Sequence, residues 1–408
     1  MDFNSAPVTV MHIDLNSCFA TVEQQANPLL RGKPIAVAAY AKGNGCILAP
    51  SVEAKRFGIK TGMRVKEAKV LYPALLVLAP DPPKYRYVHV ALRKILVSYT
   101  NSLTAKSIDE FVLEMDNYPI LKTKTMVEIG KEIKERIKKE VGDWLTVSIG
   151  ISTNRFLAKQ AAGLKKPDGL DVIDKTNFLD IYSKLELTDL TGIKIRNSLR
   201  LNNAGIYTVT DFYKADIWKL RASFNSITGY YWHTRLHGFG IDDFKSKRSS
   251  YGNSYSCPRP VTVPQIGPIL TKLVEKMSFR IRKAGLKAQG VHVGLSFRNH
   301  SYWHKGVSFV NPIFDSRDFY KIIINILKCA PNEELIRNIE ISSFKLVKEG
   351  VNQLEIFTDV EKNKNLILAK DTINEKWGNF TLSAGTMVRD KNVVLDRIAF
   401  GNLDGVAV

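Results

Sequence analysis

Val8-Thr9-Val10-Met11-His12-Ile13-Asp14-Leu15-Asn16-Ser17-Cys18-Phe19-Ala20-Thr21-Val22-Glu23 decides the fold. Residues 8–13 are rich in β-branched side chains and read as a strand. Asp14 stands at its end, and Asn16 or Ser17 can cap a helix running on through Glu23. A second acidic pair lies in Leu103 to Met115, which reads as two strands around Ile108-Asp109-Glu110. Between them, residues 36–40 and 46–49 read as short strands around the turn Gly43-Asn44-Gly45. Val52 to Tyr72 is basic and helical in two short pieces, and a further helix runs near 84–99. Thr123 to Val141 is a periodic amphipathic helix, Thr146 to Ser152 a strand, and Asn154 to Leu164 a helix. This order is that of the split β-α-β motif with an insertion after the first helix. Such a sheet leaves its centre free to carry carboxylates.

Asp14, Asp109 and Glu110 stand where strands end or turn. Carboxylates at close range repel one another and cannot all stay ionised without cations. Hard oxygen ligands favour magnesium, which keeps some waters and takes other ligands from substrate phosphates. Two such ions about 3.5–4 Å apart activate an attacking hydroxyl and stabilise a leaving pyrophosphate. Each acid also has a plain reading: Asp14 as a helix N-cap, Asp109-Glu110 as the polar residues of a hairpin turn. Spacing alone does not bring Asp14 to Asp109.

The chain's 408 residues carry 59 Lys and Arg against 40 Asp and Glu, a net charge of +19. That charge raises the local concentration of polyanions and points to nucleic acid, with solvated surface lysines as the competing reading. No apolar run reaches the ~18 residues of a membrane span. Residues 1–8 lack the basic-then-apolar pattern of a leader. Cys18, Cys46, Cys257 and Cys329 show no C-x-x-C spacing, so neither a zinc site nor a disulfide framework is expected. A cytoplasmic monomer is the simplest expectation.

At its acidic residues the chain resembles the Y family of DNA polymerases. His12 to Glu23 is similar to the first catalytic motif of that family, and Ser107-Ile108-Asp109-Glu110 to its second. Glu53-Ala54-Lys55-Arg56-Phe57-Gly58-Ile59-Lys60 resembles the fingers motif. Gly150 to Arg155, Ala158-Lys159 and Lys166-Pro167-Asp168-Gly169 resemble the third palm motif. One such tetrapeptide is weak; four in order are strong. The resemblance implies an α+β right-hand polymerase with a ferredoxin-like palm, small fingers, a helical thumb and a mixed α/β little finger. Asp14, Asp109, Glu110 and the Leu15 carbonyl would hold two Mg2+ ions, with Glu110 also orienting the primer 3′-hydroxyl. Phe19 would be the steric gate against a 2′-hydroxyl, with a core aromatic as the competing reading. Ser17, Cys18, Val52, Lys55 and Lys166 would meet the incoming deoxynucleoside triphosphate. Val52 stands where many members carry tyrosine, and Lys55 where arginine is frequent. Lysine lacks the bidentate fork of arginine.

Leu190-Thr191-Gly192-Ile193 to Ala204-Gly205-Ile206 resembles the helix-hairpin-helix of the family's thumb. Gly192, Lys194 and Gly205 would present backbone N–H groups to a phosphate of primer-template DNA. Lys194 replaces the usual second glycine, which implies a distorted turn. The basic stretch after Ser249 matches the little finger; Arg280, Arg282, Lys283 and Lys287 are its densest cations and would bind phosphates. Gln353-Leu354-Glu355-Ile356-Phe357 looks like a sliding-clamp docking peptide, with Gln353, Leu354, Ile356 and Phe357 making the contacts. The expected divisions are palm over 1–28 and 81–174, fingers over 29–80, thumb over 175–244, linker over 245–250, little finger over 251–350 and tail over 351–408. A nucleotidyl cyclase-like palm enzyme and a non-catalytic DNA-binding subunit are the alternative readings. The thumb-like hairpin argues against the first and the intact acids against the second.

Overall fold

The computed structural model describes residues 1–241, 248–331, 333–348, 360–378 and 380–390. The chain divides into two units between Phe244 and Lys245. In the first, elements follow in the order β1 (Val10–Leu15), α1 (Cys18–Ala26), β2 (Ile35–Ala38), β3 (Ile47–Pro50), α2 (Val52–Arg56), α3 (Val65–Leu71), β4 (Leu76–Leu78), α4 (Pro82–Leu96), β5 (Leu103–Ala105), β6 (Glu110–Glu114), α5 (Met126–Glu140), β7 (Val147–Ser152), α6 (Arg155–Leu164) and β8 (Leu170–Val172). Helices α7 (Phe178–Ser183), α8 (Ile195–Asn203), α9 (Val209–Lys214), α10 (Ile217–Phe224) and α11 (Thr228–Leu236) complete the unit.

The main sheet has the order β5-β6-β1-β7-β8. β1 runs antiparallel to both neighbours, so β6 and β7 form a split β-α-β pair around it. Strand alternation gives its two faces different jobs. Met11, Ile13 and Leu15 join Phe111, Leu113 and the apolar stripes of α1, α4 and α5 in the main core. Val10 and Val112 face the other way, against Ala158 of α6. His12, Asp14 and Glu110 share that second face by the same alternation. Gly150 lets α6 sit on the sheet there: a Cβ would come within 2.0 Å of the Ala158 carbonyl oxygen. Asn154 caps α6 by accepting from the Leu157 N–H at 2.7 Å. Its amide also donates to the Arg235 and Phe239 carbonyls at 3.0 Å, tying β7 to the end of α11.

The insertion forms its own small sheet, β3-β2-β4. α2 begins at Ser51, whose Oγ accepts from the Ala54 N–H at 3.2 Å. The basic stretch divides into α2 and α3 as its pattern predicts, whereas β4, sitting among prolines, is a strand the sequence did not announce. The helices from α7 onward close around Tyr182, Phe212 and Trp232. Gly192 takes a φ of +100°, with the Trp232 ring 3.3 Å from where a Cβ would stand. Lys194, at φ −124° and ψ 178°, is extended backbone at the N-cap of α8, so this position does not require glycine. The distortion expected at Lys194 does not occur.

The second unit contains β9 (Ser250–Val261), α12 (Gly267–Lys283), β10 (Leu286–Phe297), β11 (Tyr302–Ile313), α13 (Ser316–Leu327), β12 (Ile336–Lys348) and α14 (Val360–Trp377). Its antiparallel sheet has the order β11-β10-β12-β9. α12 and α13 bury Leu270, Leu273, Met277, Phe319 and Ile323 in one core with Val291, Val293, Leu295, Ile339 and Ile341. Ser250, expected as the last linker residue, already belongs to β9; residues 245–247 lie outside the described residues. α14 is fastened to α12 by Arg282–Asp371, Lys370–Glu275 and Lys283–Glu375.

Candidate active site

Asp14 pairs directly across the ladder with Glu110, and the Leu15 N–H donates to the Asp109 carbonyl at 2.9 Å. The three acids, 96 residues apart in sequence at the extremes of 14 and 110, therefore meet at one end of the sheet. Asp14 is not the helix cap; Ser17 holds that position, left-handed at φ 50°, with no side-chain capping bond. The turn reading of Asp109 holds alongside the cluster, since the Lys106 N–H closes onto the Glu110 carbonyl at 2.9 Å.

Burial pushes the Asp109 carboxyl up to about 6, helped by the charges of Asp14 and Glu110 and opposed by the Ser107 hydroxyl. That hydroxyl donates to Asp109 Oδ1 at 2.5 Å. Lys166 Nζ lies 2.6 Å from Asp14 Oδ2, and Lys159 Nζ lies 2.7 Å from each Glu110 oxygen. Two ammonium groups thus stand against a set of hard oxygen donors, the behaviour of a site that draws cations. His12, Asp14 and Glu110 offer ligand atoms within 4.8 Å of one another. His12 is buried, neither ring nitrogen has a hydrogen-bond partner, and Nε2 is 4.0 Å from Glu110 Oε2. Burial first, then Lys159, pushes its imidazole down to about 3, so it is neutral. The acids and their geometry fit divalent cations.

Beside the acids opens a cavity of about 590 Å³, within the range of small-molecule sites. Ser17, Cys18, Val52, Lys55 and Lys166 line it together with Asp14 and Asp109. Ser17 Oγ is buried there without a partner. Burial, then the Asp109 and Asp14 charges, push the Cys18 thiol up, so it stays protonated. Burial and the neighbouring Lys166 lower Lys55, with Asp14 acting the other way. Phe19 does not line the cavity wall. It is 1% exposed and stacks on Tyr85 at 4.3 Å between centroids, behind Cys18. Tyr85 is held in turn by its hydroxyl bond to Glu23 at 2.9 Å.

Three residues here were passed over in sequence. Lys159 lies in a quoted motif but had no assigned role, Arg56 follows Lys55 directly, and Thr61 carried no signal at all. The cations expected to meet DNA in the second unit have partners within that unit. Arg282 donates to both Asp371 oxygens at 2.6 and 2.8 Å and is nearly buried. Lys283 bonds Glu375 at 3.0 Å, and Arg280 donates to Asn253 Oδ1 at 2.7 Å. Lys287 is buried, its ammonium 5.0 Å from the Phe314 ring centroid. All four make contacts inside their own unit. Gly192, Lys194 and Gly205 do gather at the two ends of α8. Gln353 to Phe357 lies outside the described residues.

A split β-α-β sheet that collects three carboxylates beside a lysine-lined cavity defines a polymerase-type palm. The model of the impB/mucB/samB family matches residues 13–163, and that of the family's C-terminal domain matches residues 248–356. DNA polymerase IV of Clostridium acetobutylicum is 30% identical over 390 residues, 91% of this chain and 96% of the relative. DNA polymerase IV of Pelotomaculum thermopropionicum is 29% identical over 400 residues, 95% and 97% of the two chains. Among solved structures, a Y-family DNA polymerase chimera of Dbh and Dpo4 superposes with a TM-score of 0.72 at 24% identity, covering 83% of this chain and 99% of its own. The insertion ternary complex of Dbh DNA polymerase gives a TM-score of 0.58 at 23% identity with the same coverage. This chain belongs to the Y family of DNA polymerases.

Proposed function

We propose that the chain extends a primer on a DNA template, joining deoxynucleotides to the 3′-hydroxyl and releasing pyrophosphate, with Asp14, Asp109, Glu110 and the Leu15 carbonyl holding two Mg2+ ions. As a Y-family member it is an error-prone polymerase of the translesion class. The observation that carries the residue-level reading is the pairing of Asp14 with Glu110 beside Asp109, at the mouth of a cavity faced by two lysines. When bound, the ions supply activation of the attacking hydroxyl and charge neutralisation for the leaving group. The protein's own residues do the rest. Lys55 and Lys166 offset triphosphate charge, and Ser17 Oγ offers an unused hydrogen-bonding group. Val52 replaces a hydroxyl-bearing side chain with an apolar one, so phosphate binding leans more on Lys55, a point charge without a fork.

In this reading the main sheet with its helices is the palm, residues 29–80 the fingers, 175–244 the thumb and 251–350 the little finger. The N-terminus of α8 grips a DNA phosphate through backbone N–H groups. No helix among the described residues is long and apolar enough to cross a membrane, and we place the chain in the cytoplasm as a monomer. Purified protein is expected to extend a primed template with magnesium, in steps directed by the template. Formation of cyclic nucleotide, or no extension on any template, overturns the reading.

The position of Gln353 to Phe357 after β12 supports clamp docking. Alanine at 353, 354, 356 and 357 should remove stimulation by a bacterial sliding clamp and leave basal synthesis unchanged. Equal loss of both activities would assign the segment a structural part instead.

A further inference from the structure

Asn16 follows the catalytic strand directly and is buried, 4% exposed. Its Oδ1 accepts from the Asp168 N–H at 2.8 Å, and its Nδ2 donates to Ser148 Oγ at 2.9 Å. Its own N–H donates to the Thr146 carbonyl at 2.9 Å, and its carbonyl accepts from Thr21 Oγ1 at 2.6 Å. Every polar group of Asn16 therefore has a partner, and one of those partners is the loop that carries Lys166. Asp168 sits at φ +59°, a left-handed state uncommon outside glycine that aspartate tolerates, and its surroundings hold it there. Those surroundings are Asn16 on one side and α5 on the other. Lys134 of α5 donates to the carbonyls of Asp168 and Gly169, and its Nζ is 2.9 Å from Asp168 Oδ1. Lys138 reaches Asp168 Oδ2 at 3.3 Å. Two residues before this anchor, Lys166 extends to Asp14 at 2.6 Å.

We propose that Asn16 and Lys134 strap the 166–169 loop at Asp168, and so set Lys166 at the height where it meets the triphosphate of the incoming nucleotide. Asn16, which also lines the cavity, is then a positioning residue that acts through Lys166. An amide suits this post better than a carboxylate. Oδ1 accepts from the Asp168 N–H while Nδ2 meets Ser148 Oγ, and the amide makes both contacts without carrying a charge. A carboxylate would also add a fourth negative charge beside Asp14, Asp109 and Glu110.

The strap rests on the reading of Lys166 as a triphosphate contact, and the test separates the two. Single-nucleotide incorporation is measured for the full chain, Asn16→Ala, Lys166→Ala and the double variant. Asn16→Ala is expected to raise the KM for the nucleotide about tenfold while kcat falls less than about threefold, as loss of binding geometry requires. Because both act through one ammonium, the double variant should be no worse than Lys166→Ala alone. Effects that multiply in the double variant overturn the strap and leave the Lys166 contact standing. An unchanged KM in Lys166→Ala overturns the triphosphate reading and the strap with it. Lys134→Gln loosens the same loop from α5, away from the buried acids, and serves if Asn16→Ala fails to fold. It should raise KM in the same direction, and an unchanged KM there counts against the strap.

Discussion

Asp109→Ala loses primer extension by about 10³-fold or more, equivalent to ~4 kcal/mol of transition-state stabilisation, while affinity for primed DNA stays unchanged. Asp109 is bonded to Ser107, and burial pushes its carboxyl up to about 6. Such a group is unfavourable as a lone anion, and its place is explained by a cation that shares its charge. Asp109→Asn keeps the volume and can keep the Ser107 contact while dropping the charge. It should therefore be as inactive as the alanine variant, yet melt at the same temperature as the parent or higher in metal-free buffer. Single-turnover extension, filter binding and thermal denaturation provide the three readings. Normal extension by either variant would remove Asp109 from the metal site. A marked loss of thermal stability in Asp109→Asn would make its carboxylate a structural anion instead.

Phe19→Ala should raise incorporation of ribonucleotides relative to deoxynucleotides by about 100-fold, the equivalent of roughly 2.7 kcal/mol of steric discrimination. The expectation follows from how the ring is held. Cys18 is among the residues lining the cavity, and Phe19, next in sequence, is buried and stacked on Tyr85. A gate must not yield when a 2′-hydroxyl presses on it, and the stack fixed by the Tyr85–Glu23 bond supplies that stiffness. The same packing makes truncation costly: removing a buried phenyl ring typically lowers stability by ~3–5 kcal/mol. Phe19→Leu, which keeps more of the volume, should give a smaller loss of both stability and selectivity. Selectivity is read from competing ribo- and deoxynucleotide incorporation below the melting temperature of each variant. Unchanged sugar selectivity in a folded Phe19→Ala protein would reduce Phe19 to a core aromatic.

Much of the first unit was legible because its signals are local. β-branched runs mark β1 and β7, a capping box of Thr125 with Glu128 opens α5, and the acids sit at strand ends. What local signals could not reach is pairing over distance. Asp14 and Glu110 meet through register, and Lys159 finds Glu110 only once α6 lies on the sheet at Gly150. β4 and β8, three residues each, are too short to show a period and form by adding to an existing edge. The turn at Lys194 is undistorted because its φ is negative, a backbone state that any side chain adopts without strain. The partners of Arg282 and Lys283, Asp371 and Glu375, were not legible because they come from a helix 89 or more residues further on.

That helix, α14, belongs to the same unit as β12 and supplies the acids that Arg282 and Lys283 of α12 meet, while its Lys370 meets Glu275. A chain cut anywhere ahead of Val360 would therefore leave two cations and one acid of α12 without these partners, so the last helix acts as a charged splint on the unit that precedes it.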